Sequence, residues 1–117
     1  MTDPRTGAKY PKGDHRITVA DAAAMTAAFR ARSPGGVHGW MFDRSAFDAL
    51  LAQPGCMGIR IYRGMRGDGA EQVVMVGTDS SGNDMVPASV DQPGEVMEVS
   101  WPCPPVCGTR SVLNGRS

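Results

Sequence analysis

Apolar positions fall into two regimes along this chain. Over residues 17–51 they recur at helical spacing, and over residues 56–101 they alternate or run together between glycine-rich turns. The first helical stretch, residues 17–32, carries Ala22, Met25 and Phe29 on one face. Thr18 is placed to cap it, Asp21 puts negative charge in the first turn, and Arg30 and Arg32 suit its C-terminal end. Ser33-Pro34-Gly35-Gly36 stops it. The second helix begins at Asp43, with Phe42 and Phe47 at the two positions of a hydrophobic staple. Phe47, Leu50 and Leu51 form its apolar face, Arg44 and Asp48 pair on the other side, and Pro54-Gly55 ends it.

Strands follow. Residues 56–63 place Met57, Ile59 and Ile61 on one face, with Arg60 and Tyr62 on the other. A turn at residues 64–69 leads into QVVMVG at residues 72–77, whose consecutive apolar residues predict a central strand covered on both faces. Residues 83–86 predict a third strand, and residues 96–101 an edge strand halted by Pro102. The expected core is Met57, Ile59, Ile61, Val74, Val76, Phe29, Phe47, Leu50 and Leu51. The expected fold is α+β, with two N-terminal helices packed on one face of a small, mainly antiparallel sheet. Residues 1–15 read as a flexible arm, residues 16–108 as a single α+β domain and residues 109–117 as a C-terminal tail.

Composition narrows the function classes. The 117 residues are 41% hydrophobic and 21% charged, which fits a small globular domain. Lys+Arg and Asp+Glu balance at 12 each, so no global field favours nucleic acid. Arg60, Arg63 and Arg66 sit close together, and read as a solvated hairpin face rather than a basic patch. No apolar run approaches the roughly 20 residues of a membrane span, and the polar N-terminal stretch lacks a signal-peptide apolar region. A cytoplasmic protein is expected, with no membrane partner.

Chemistry concentrates at the cysteines, of which there are three. Cys103 and Cys107 frame C-P-P-V-C, and Cys56 and His38 complete a candidate metal set with the four N/S ligands that structural zinc takes. C-x3-C is a weaker zinc signature than paired C-x2-C knuckles, and buried inert cysteine explains Cys56 equally. Two conformations are open to the cysteine run. Extended and trans, it spans about 12 Å at roughly 3.1 Å per residue, beyond the reach of a disulfide. Turned tightly through a cis proline, it closes into a loop. The closed loop explains two cysteines flanking a proline pair in so cysteine-poor a chain.

Other motifs carry less. His38 beside Trp40 fits an aromatic connector under two helices better than a ligand site. Asp79, Ser81, Asn83 and Asp84 suggest a calcium loop, but the twelfth position from Asp79 is Val90 instead of Glu, and turn chemistry accounts for the residues. An enzyme using a Cys–His pair of Cys56 or Cys107 with His38 has no local support.

The segments LLAQPGCMGIRIYRG, VVMVGTDSSGNDM and WPCPPVCG resemble a family of small uncharacterised bacterial proteins. In that family a helix ending in AQPGC is followed by a glycine-interrupted strand, a DxxGND turn and a terminal CPPxC. The resemblance covers about residues 15–108. It implies a bacterial source and an independent domain, and attaches no activity to any residue. The expected function is a non-catalytic binding or accessory module, engaging a protein partner or a second copy through a sheet edge. The alternative is a cysteine-based metal-binding or thiol-redox protein using Cys103 and Cys107, with an enzyme ranked third.

Overall fold

A computed structural model of the chain describes residues 13–87, 89, 94–109 and 111–115. Most of the expected N-terminal arm lies outside the described residues. The protein is α+β, with elements in the order α1 (Val19–Arg32), β1 (Gly39–Met41), α2 (Arg44–Leu51), β2 (Gly58–Met65), β3 (Glu71–Thr78), β4 (Val96–Met97) and β5 (Trp101–Cys103). They gather into two compact units. One holds Phe42–Val99, the other Asp14–Met41 with Ser100–Ser117.

The Phe42–Val99 unit is built on an antiparallel sheet of order β2-β3-β4. β2 and β3 pair without interruption from Gly58↔Thr78 to Met65↔Glu71. At their turn Arg66 N–H donates to Ala70 O (2.9 Å), Asp68 Oδ1 accepts from Ala70 N–H (3.0 Å), and Gly69 supplies the positive φ of +89° that side-chain-bearing residues avoid. α2 packs on β2 and β3. Its start is as local chemistry predicts: Asp43 Oδ1 accepts from Ser45 N–H (3.0 Å), and the Phe42 and Phe47 rings meet edge-on at 6.4 Å.

Burial is concentrated on the central strand. Leu50, Met75 and Val76 are 0%, 1% and 2% exposed. Met75 and Val76 are neighbours on β3 and point to opposite faces, so both faces are covered there, as the apolar run predicted. The expected core is corrected elsewhere. Phe29, Phe47, Leu51, Met57 and Ile61 remain 37% to 60% exposed. Met57 and Ile61 have the right alternation, but they belong to the edge of the sheet, where one side of the strand meets solvent.

The strand expected at residues 83–86 reduces to a single bridge, Thr78↔Asp84. The strand expected at residues 96–101 is divided. Val96–Met97 pairs with β3, whereas Trp101–Cys103 pairs with β1 in the other unit.

The unit of Asp14–Met41 and Ser100–Ser117 combines α1 with the β1-β5 ribbon, in the register Gly39↔Cys103, Trp40↔Pro102 and Met41↔Trp101. Both strands of such a ribbon are edges, where a proline is tolerated. Thr18 caps α1 by accepting from Asp21 N–H (3.0 Å). No residue of α1 is buried, and Met25 and Phe29 of its apolar face are 67% and 45% exposed. Of the two helices expected on the sheet, α2 is the one that packs on β2 and β3, and α1 belongs to this second unit. At the C-terminus Arg30 Nη1 donates to Leu113 O (2.7 Å), and Asn114 Nδ2 donates to Thr109 O (2.8 Å).

Candidate functional site

The cysteine run takes the closed form. Cys103 and Cys107 are joined by a disulfide with α-carbons 4.7 Å apart, and the Cys103–Pro104 and Pro104–Pro105 peptide bonds are cis. His38 N–H donates to Cys103 O (2.6 Å) and Val106 N–H to Pro102 O (2.8 Å). Cys107 O accepts from Asn114 Nδ2 (3.3 Å).

The backbone thus brings His38 beside Cys103, but their side chains diverge. Cys103 is the register partner of Gly39 and shares its face of the ribbon. Alternation puts Trp40, and one residue before the strand His38, on the opposite face. The His38 ring lies edge-on to Phe29 at 6.1 Å, and its Nδ1 is buried with no hydrogen-bond partner among the described residues. Cys56 belongs to the other unit, where its thiol donates to Gly58 O (3.3 Å). Zinc takes thiolates, and a sulfur held in a disulfide is not one. The structure therefore gathers Cys103 with Cys107 and with the His38 backbone, and assigns Cys56 to a different set of neighbours.

A second cluster escaped the sequence reading. Asp84 accepts from Arg60 Nη1 (2.5 Å) through one oxygen and from the Tyr62 hydroxyl through the other. Alternation along β2 already put Arg60 and Tyr62 on one face. Only the turn that folds Asp84 back beside Thr78 completes the cluster. The Tyr62 hydroxyl and the Arg60 guanidinium hold Asp84 below the ordinary carboxylate value, while the bond to Asp84 raises both Tyr62 and Arg60. Each group is thereby fixed in its ordinary ionisation state, which suits a clasp better than acid–base work. In the preceding turn Asp79 Oδ1 is taken by Ser81 N–H (2.9 Å) and Asn83 N–H (3.0 Å), the expected turn chemistry.

The third locus is the outer side of β2. Arg66 N–H bonds to Ala70 O, and the register carries this pattern inward to Gly64, Tyr62 and Arg60 at every second residue. The N–H and C=O groups of Ile59, Ile61, Arg63 and Met65 therefore face away from β3. Ile61 and Met65 are 60% and 68% exposed, and Arg63 stands exposed between them on the same face. The arginine cluster divides accordingly. Arg60 is on Asp84, and Arg66 grips Glu98 Oε1 through Nε (3.0 Å) and Nη2 (2.8 Å). Among the described residues that leaves Arg63 as the cation presented along the edge.

Comparison with protein-family models, curated proteins and solved structures gives no match. Among the described residues no helix is long and apolar enough to cross a membrane.

Proposed function

We propose that the chain is a non-catalytic binding module that takes an extended segment of a partner protein alongside β2. One observation carries this reading: an eight-residue strand at the end of the sheet order, with outward backbone groups at Ile59, Ile61, Arg63 and Met65. Edge strands are usually blunted by shortness, bulges or proline. β2 is long, unbulged and free of proline.

Strand addition draws affinity from main-chain hydrogen bonds and specificity from alternate side chains. On one face of β2 those are Ile61, Arg63 and Met65. An extended partner with an acidic residue between two apolar ones matches that order. A second copy of β2 fits less well, since a two-fold pairing centred between Ile61 and Tyr62 sets Arg60 opposite Arg63.

The test is selection of peptides from a random library on the immobilised protein. Selected peptides should carry the apolar–acidic–apolar pattern and lose binding to Arg63→Pro. That substitution removes an outward N–H and the cation, while Tyr62 and Gly64 keep their bonds to β3. Peptides that bind Arg63→Pro as well as wild type contradict the reading.

A further inference from the structure

We infer that Cys103–Cys107 is a reversible thiol–disulfide couple, opened by a cellular dithiol and reclosed within an unchanged backbone. This goes beyond the binding reading and stands on different residues.

The backbone around the pair is held by bonds that do not involve sulfur. His38 N–H holds Cys103 O, Val106 N–H holds Pro102 O, Asn114 Nδ2 holds Cys107 O, and the β1-β5 register fixes Cys103 opposite Gly39. With the S–S bond cut, these contacts keep the α-carbons near their present 4.7 Å, inside the range from which a disulfide re-forms.

Access is provided by glycine. The cross-strand neighbour of Cys103 is Gly39, so the position directly opposite it carries no side chain, and an added Cβ there would stand 3.9 Å from Cys103 Cβ. Both cysteines are half-buried, and Pro104, Pro105 and Val106 at the loop tip are exposed. An attacking thiolate needs such an approach. The bond also closes a loop with a sequence separation of only 4. Closing so short a loop restrains the unfolded chain least, which makes bracing the weaker explanation.

The chemistry balances with a dithiol as co-reactant. One of its thiolates attacks a sulfur of the pair, a mixed disulfide forms, and the other cysteine leaves as a thiolate that takes a proton. The second thiol of the reductant then attacks the mixed disulfide and releases the remaining cysteine. The pair gains two electrons and two protons, and the reductant becomes a disulfide.

The experiment uses the full chain as Cys56→Ser, equilibrated across reduced-to-oxidised dithiothreitol ratios, then alkylated and weighed. The expected result is a gain of two alkylated thiols per chain, reversed on oxidation. Amide shifts should be confined to residues 37–41 and 100–109. Resistance to the reductant short of denaturation, loss of amide dispersion on opening, or reoxidation only to intermolecular dimers overturns the inference. If Cys56→Ser does not fold, peptide mapping of alkylated wild type separates Cys56 from the pair and reads the same outcomes.

Discussion

Asp84 engages Arg60 and Tyr62 at once, one carboxylate oxygen on the guanidinium at 2.5 Å and the other on the phenol, while Arg60 Nη1 also donates to Gly82 O at 3.0 Å. Arg60 and Tyr62 come from β2, and Asp84 bridges Thr78 at the end of β3. The clasp thus ties the turn after β3 to the strand proposed as the binding edge.

Its pH dependence has a definite sign. Asp84 is lowered in the folded state, first by the Tyr62 hydrogen bond and then by Arg60. A depressed carboxylate adds stability above its unfolded value of about 3.9, and that contribution is lost as pH falls through the lower folded value. Urea denaturation of wild type and Asp84→Asn should therefore differ near neutrality and converge in strong acid. A difference that persists unchanged at the acid end would mean that Asp84 is not ionised in the clasp. Because the Arg60 and Asp84 side chains are 37% and 26% exposed, added salt should narrow the neutral-pH difference.

Leu50 and Leu51 are adjacent on α2 yet 0% and 53% exposed. Leu50→Ala should cost about 2–5 kcal/mol by leaving a cavity. Leu51→Ala should cost about 1 kcal/mol or less, as a substitution on a wetted face. Equal losses in chemical denaturation would show that α2 does not pack on β2 and β3 through Leu50.

What the sequence disclosed was local. The Thr18 and Asp43 caps, the Phe42–Phe47 staple and the β2–β3 hairpin all depend on neighbours a few residues away, and each appears as expected. The β1-β5 ribbon depends on Gly-Trp-Met finding Trp-Pro-Cys far along the chain. Both segments are short and carry glycine or proline, so neither shows a strand pattern of its own. Edge status was equally hidden. Ile61 reads as the covered side of an alternating strand, and only the strand order leaves it wet, whereas the apolar run around Met75 already points to a covered strand. The cysteine run permitted two conformations, and a long-range contact with His38 and a nearer one with Asn114 accompany the closed one.

Gly77 marks a close approach that no periodicity shows. A Cβ there would stand 2.8 Å from Gln53 Nε2, 3.0 Å from Cys56 Sγ and 3.6 Å from Leu50 O. Gly77→Ala should destabilise the protein by about 1–3 kcal/mol through overpacking. Gly67→Ala, with nothing within 4 Å, should stay within about 0.5 kcal/mol. Thermal or urea unfolding of the two variants checks the contrast, and similar stabilities would mean that α2 does not lie against β3 at Gly77.

The most direct measurement of the binding edge is residue-resolved amide hydrogen exchange along β2. The amides of Ile59, Ile61, Arg63 and Met65 point away from β3, and those of Arg60, Tyr62 and Gly64 point into it. In the free protein the first set should exchange fast and the second slowly. A selected apolar–acidic–apolar peptide should then slow the first set and leave the second unchanged. Uniform protection along β2 in the free protein, or peptide-induced protection elsewhere with the outward amides still fast, would contradict an open edge that binds by strand addition.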